Sequence, residues 1–156
     1  SEKEEVYLSD GERASLSGTA AVSVNRNTGY ISGKKIYVCD SDSSAVTRTV
    51  NGVIYVTSEF AAEALGKRAV YEADRNVFKL KDDELFYTVL GTAEARLGGK
   101  FKPITNAVTV IDGRIYVPVT LFSEVFGYEL KTDGNVAVFG ERVTDSAFEA
   151  AKGLAF

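Results

Sequence analysis

Residues 51–66 read NGVIYVTSEFAAEALG, and residues 112–127 read DGRIYVPVTLFSEVFG. At a shift of 61 positions Gly52 meets Gly113, and Ile54-Tyr55-Val56 meets Ile115-Tyr116-Val117. Glu63 and Gly66 then meet Glu124 and Gly127. An internal repeat signals a supersecondary unit built more than once, each copy too small to bury its own apolar face. Phe60, Ala61, Ala64 and Leu65 in one copy, and Leu121, Phe122, Val125 and Phe126 in the other, share the spacing i, i+1, i+4, i+5. That spacing puts four apolar side chains on one face of a helix. Thr57 or Ser58 is placed to cap the first helix. Pro118 suits the first turn of the second, where its missing N–H costs nothing. Gly66 and Gly127 stand where a left-handed residue ends a helix.

The match runs on. Ala69, Tyr71 and Glu72 correspond to Leu130, Thr132 and Asp133. A turn and a closing strand follow in each copy, Val77-Phe78-Lys79-Leu80 and Val136-Ala137-Val138-Phe139, and Gly134-Asn135 is a tight-hairpin dipeptide. Upstream, Ala45-Val46-Thr47 corresponds to Ala107-Val108-Thr109 with a one-residue slip. The sequence therefore predicts an α+β fold: two β-turn-β-α-β-hairpin units, mainly antiparallel sheet packed on short helices. Copy one covers about 45–80 and copy two about 107–139, within a single domain spanning 1–156. Residues 1–5 are charged and expected to fray. Residues 14–39 alternate and read as strands joined at Asn25-Arg26-Asn27-Thr28-Gly29. Residues 84–97 fit a strand at first and then either helix or strand. Asp145 or Ser146 caps a terminal helix over 145–152. The apolar end Leu154-Ala155-Phe156 is expected to need a cover, as at a cut within a longer polypeptide.

The glycines, the YVP stretch Tyr116-Val117-Pro118 and the helix pattern together resemble the copper amine oxidase N-terminal-like domain, over about residues 30–140. The resemblance implies a small antiparallel sheet wrapped on a helix. It also implies an accessory or stalk element, separate from the oxidase catalytic domain, in secreted and wall-associated proteins of Gram-positive bacteria. Two departures stand out: Thr57 where the other copy has Pro118, and Tyr71 and Thr132 where the family often carries tryptophan.

Copper in an amine oxidase is held by imidazoles, the usual protein ligands for that metal. This chain has 0 His, 0 Met and 1 Cys, so no metal and no cofactor is expected. The absence of histidine also excludes Ser-His-Asp and Cys-His nucleophilic machinery. No glycine-rich phosphate loop opens a helix after a strand. The loop Asp40-Ser41-Asp42-Ser43-Ser44 alternates acids but lacks the glycine and terminal glutamate of a calcium loop, and reads as a solvated turn. Cys39 lies in an alternating strand with no basic neighbour in sequence, and reads as a small buried residue. Net charge is −4, from 18 basic and 22 acidic residues without a basic stripe, which disfavours nucleic acid. No apolar run is long enough to cross a bilayer as a helix.

The reading that follows is a non-catalytic accessory or interaction module of a secreted or cell-surface protein. Its expected partner is a neighbouring protein, or the rest of a longer parent chain. The alternative is a carbohydrate- or wall-binding module that offers Tyr55 and Tyr116 on an outer sheet face to a neutral glycan. A glycoside hydrolase or lyase using paired carboxylates is a remote third, since neither Glu63 and Glu124 nor Glu72 and Asp133 reads as more than solvated or turn acids. No residue is assigned a catalytic role. Gly52, Gly113, Gly66, Gly127 and Pro118 are assigned structural ones.

Overall fold

The computed structural model describes residues 8–156, so the expected fraying of residues 1–5 lies outside the described residues. Fourteen strands and four helices follow in order. They are α1 (Asp10–Leu16), β1 (Thr19–Ser23), β2 (Thr28–Ile31), β3 (Lys34–Tyr37), β4 (Arg48–Val50), β5 (Val53–Thr57) and α2 (Ser58–Leu65). Next come β6 (Arg68–Glu72), β7 (Val77–Lys81), β8 (Leu85–Val89), β9 (Glu94–Leu97), β10 (Lys100–Pro103), β11 (Thr109–Ile111) and β12 (Arg114–Pro118). The chain closes with α3 (Thr120–Glu124), β13 (Glu129–Asp133), β14 (Val136–Gly140) and α4 (Asp145–Lys152). The fold is α+β, mostly antiparallel sheet with a few short helices.

Two hairpins make one sheet. β4–β5 and β11–β12 turn at Asn51-Gly52 and Asp112-Gly113, all four residues at positive φ, as a tight primed turn requires. β5 and β12 then pair antiparallel, giving the central sheet in the order β11-β12-β5-β4. Val56 lies opposite Val117, its counterpart at the 61-residue shift, and both are fully buried.

Each central strand leads into a helix and then into a hairpin in a different sheet. After β5, Thr57 caps α2 by accepting the Phe60 N–H at 3.1 Å, and Gly66 ends it at φ 65°. After β12 the helix is shorter and starts later than the sequence predicts. Pro118 is not in its first turn: it closes β12 opposite Tyr55, and Val119 N–H donates to Ile54 O at 2.9 Å, which extends the sheet into the would-be helix start. Gly127 follows α3 at φ 69°. Residues 45–47 are also not strand, and β4 begins at Arg48.

β6–β7 is extended by β8, β9 and β10 into a meander, in the order β10-β9-β8-β7-β6 (the contiguous sheet). This resolves residues 84–97 as two strands. β13–β14 is extended by strands from the other end of the chain, in the order β13-β14-β1-β2-β3 (the closing sheet). Backbone hydrogen bonds close the joints of both sheets. Leu90 N–H donates to Asn76 O and Val24 N–H to Asn135 O, and Gly91 N–H to Val108 O and Asn25 N–H to Thr47 O. Ile104 N–H donates to Ala93 O and Val38 N–H to Asn27 O.

The main core lies among the three sheets and α2 and α3. Phe122 stacks on Phe139 with centroids 4.1 Å apart, and Phe60 meets Phe139 edge-on. Gly140 is a tight spot, because a Cβ there would stand inside van der Waals contact with the Gly18 carbonyl oxygen at the β1–β14 joint. Gly66→Ala should cost about 1 kcal/mol, for strained φ alone. Gly140→Ala should cost more, because backbone must move, and denaturant melts of the two variants test that order.

Candidate functional site

Tyr55 and Tyr116 follow from their strands, but not to the surface. They are 6% and 2% exposed, which corrects the outer-face position that the carbohydrate-binding alternative gives them. Alternation along β5 and β12 does put them on one face, and that face is closed by the loops that precede the opposite hairpins. Tyr55 Oη donates to Ala107 O at 3.1 Å, and Tyr116 Oη donates to Val46 O at 2.7 Å. Each tyrosine thereby ties the loop entering the other hairpin. Neither ring offers a face to a sugar.

Beside this sheet, Arg114 gathers a polar cluster. Its guanidinium reaches Asp42 Oδ2 at 2.8 Å, Cys39 Sγ at 3.0 Å and Glu59 Oε2 at 3.4 Å. Cys39 is buried, as expected, but it does have a basic neighbour, one 75 positions away in sequence. Asp42 also accepts from the Ser44 hydroxyl and N–H, an Asx turn, and these bonds together with Arg114 hold its carboxyl below the usual range. The cluster fastens residues 39–44 to β12 and α2, and uses its charges on itself. Glu63 is exposed on α2, while Glu124 accepts from Thr105 N–H at 3.0 Å and anchors the chain ahead of β11. The repeated glutamates do not converge.

The apolar end of the chain has its cover within this chain. Phe156 meets Tyr30 edge-on at 5.4 Å, and Tyr30 Oη donates to Ala155 O at 2.6 Å. Together with α1 and α4 the tail lies over the outer face of the closing sheet, where Ala21, Tyr30 and Val138 are buried. The two helices have sequence causes. Ser9 and Glu12 form a capping box at α1, and Thr144, rather than Asp145 or Ser146, caps α4.

Nothing described covers the outer face of the contiguous sheet. Register puts Val70, Lys79, Tyr87, Arg96 and Phe101 in one row across its five strands, on the side away from Phe78, Leu80 and Phe86. Phe101 is 51% exposed and Val89, in the adjacent row, 41%. Tyr87, Val89, Thr92, Glu94, Arg96 and Phe101 border a shallow depression of about 210 Å³. The sequence reading passed over these residues because aromatics in an alternating strand read as core. The missing signal was the Gly98-Gly99 turn, which fixes β9 against β10 and so sets Arg96 opposite Phe101.

The model of the copper amine oxidase N-terminal domain family matches residues 30–139, from within β2 to within β14. This chain belongs to that family. The chain has no match among curated proteins. The family is that of the oxidase's N-terminal accessory domain, and the oxidase catalytic domain is not part of this sequence. Copper does not fit the donors present. The chain lacks imidazole and thioether, and among the described residues no group of three His, Cys, Asp or Glu side chains is placed to hold a metal ion. The matched segment also leaves out β1, the strand that joins β14 to β2 in this member of the copper amine oxidase N-terminal domain family.

The tyrosine ties are testable. Tyr55→Phe and Tyr116→Phe should each lower stability by about 1 kcal/mol, since a part-buried carbonyl loses its donor. Burial raises the Tyr55 pKa above its ordinary value. The unfolded chain therefore gives up that proton first, and stability present below about pH 10 should fall as pH rises through and beyond it. Urea midpoints between pH 8 and 11 should show a shallower alkaline loss in Tyr55→Phe than in wild type.

Proposed function

We propose that this chain is a non-catalytic accessory module of a secreted or cell-surface protein, acting by surface contact. The observation that carries this reading is the contrast between two sheets of the same make. The segments 48–81 and 109–140 run through the same elements in the same order. We infer that they are copies of one unit, the second completed by β1–β3 in place of β8–β10. On that equivalence Ala21, Tyr30 and Val138 occupy the positions of Tyr87, Arg96 and Lys79. The first set lies beneath α1, α4 and the tail, and the second faces solvent with exposed apolar neighbours. Exposed apolar groups gathered on one face mark contact sites more often than scattered ones do.

The tail gives no support to a protein neighbour as its cover, because its own chain covers it. Tyr55 and Tyr116 give none to a glycan platform, because they are buried. The contact is better assigned to the bare sheet. Catalysis finds no support in the acids: Asp42, Glu72, Asp82 and Asp145, each tied by a cation, all have lowered pKa values, the opposite of what a general acid needs.

Retention of the domain on cell-envelope preparations tests this. Phe101→Glu with Val89→Glu should abolish retention, while Val50→Glu with Val110→Glu, exposed apolar residues of the central sheet, should leave it intact. Equal retention of both variants would remove the bare sheet from the proposal. Peroxide release from amines, with and without added copper, should stay at the blank.

A further inference from the structure

We infer that the bare face of the contiguous sheet binds an acidic polysaccharide, a glycan carrying carboxylate groups, in a track across β8, β9 and β10. The inference rests on the proposal that this face is the contact surface, and it names the ligand.

The register makes the argument. Tyr87 lies directly opposite Arg96, and Arg96 directly opposite Phe101. Two strand spacings therefore separate the aromatic side chains, about 9–10 Å, with one guanidinium between them. That separation is close to the length of two linked pyranose rings. Sugar C–H faces stack on aromatic rings. A guanidinium between two such rings is placed to take a carboxylate with its paired N–H donors. Arg96 has donors to spare, for its one described hydrogen bond is a long one, 3.5 Å, to Gly99 O. Thr92 at the rim of the depression adds a short polar side chain.

Charge selects the acid. On this face Lys79 is spent on Glu72 at 2.8 Å. Arg68, Lys81 and Arg96 enter no described ion pair, and against these three cations stand Glu94 and Glu84, whose carboxylate lies beside Gly98. The face is thus positive on a chain whose net charge is −4. The same residues argue against a protein helix of the kind that covers the closing sheet. Where that cover meets Val138 and Tyr30, an apolar helix here would meet the Lys79–Glu72 pair and Arg96, and burying the unpaired Arg96 cation is strongly unfavourable. A flat, hydroxylated, anionic chain leaves both solvated and pairs one of them.

The test uses the whole chain and polygalacturonate as probe, by affinity electrophoresis and titration calorimetry, with fully methyl-esterified polygalacturonate and oligothymidylate alongside. Polygalacturonate should bind, more weakly as salt rises, and the ester should bind at least tenfold more weakly. Tyr87→Ala, Phe101→Ala and Arg96→Gln should each weaken binding tenfold or more, with circular dichroism and melting temperature unchanged. Tyr71→Ala, an exposed tyrosine outside the row, should bind as wild type. Three results would overturn the inference: no binding of polygalacturonate, alginate or hyaluronate; equal binding of acid and ester; or tighter binding of oligothymidylate. If envelope retention still depends on Phe101 and Val89 in any of these cases, the contact surface stands and only its ligand is wrong. If retention does not depend on them either, both readings fall.

Discussion

The pairing of β5 with β12 is the constraint on which the rest depends. Each hairpin alone is a marginal object in water, and joining them gives a four-stranded sheet with Val56 and Val117 shut at its centre. The register of that one pair then decides where everything else goes. It sends α2 and α3 off opposite strands and places Tyr55 and Tyr116 where each reaches the loop ahead of the other hairpin. The two outer sheets follow, each fed by a hairpin from a different end of the central one.

The two five-stranded sheets differ in what covers them. The closing sheet has become interior on both sides. On its outer face small Ala21 leaves room for helices, and Tyr30 satisfies its hydroxyl on the chain's own carbonyl. The contiguous sheet keeps one wet face of mixed character, where long cations stand among two rings, Tyr87 and Phe101, and exposed aliphatics such as Leu85 and Val89. Arg114 marks a second asymmetry. It stands where the 61-residue shift puts Val53 in the other hairpin, and its bonds to Asp42, Glu59 and Cys39 tie the loop after β3 to β12 and α2.

Much of this was legible beforehand, for reasons that can be named. The helix over 58–65 announced itself through Thr57, its apolar spacing and Gly66, all local signals. The hairpins announced themselves through Asn51-Gly52, Asp112-Gly113 and Gly134-Asn135. What failed was long-range. Pro118 looked like a helix residue because nothing nearby in sequence reveals that Ile54 O takes the next N–H. Cys39 looked isolated because its cation is 75 positions on. The tyrosines looked exposed because alternation tells which face a residue is on, not what covers that face. The Tyr87, Arg96 and Phe101 row needed the pairing of three strands before it existed at all.

The closing sheet has a consequence for how the chain is made. β1 is made well before its partner β14, with Thr19 set opposite Gly140. Until β14 arrives, Ala21 and Tyr30 lack their cover and β1 offers an open edge. Contacts so distant in sequence form slowly, since a long loop must close before they give anything back. The closing sheet therefore stays incomplete until β14 is made. Until then the edge of β1 that β14 covers is open to any other chain nearby.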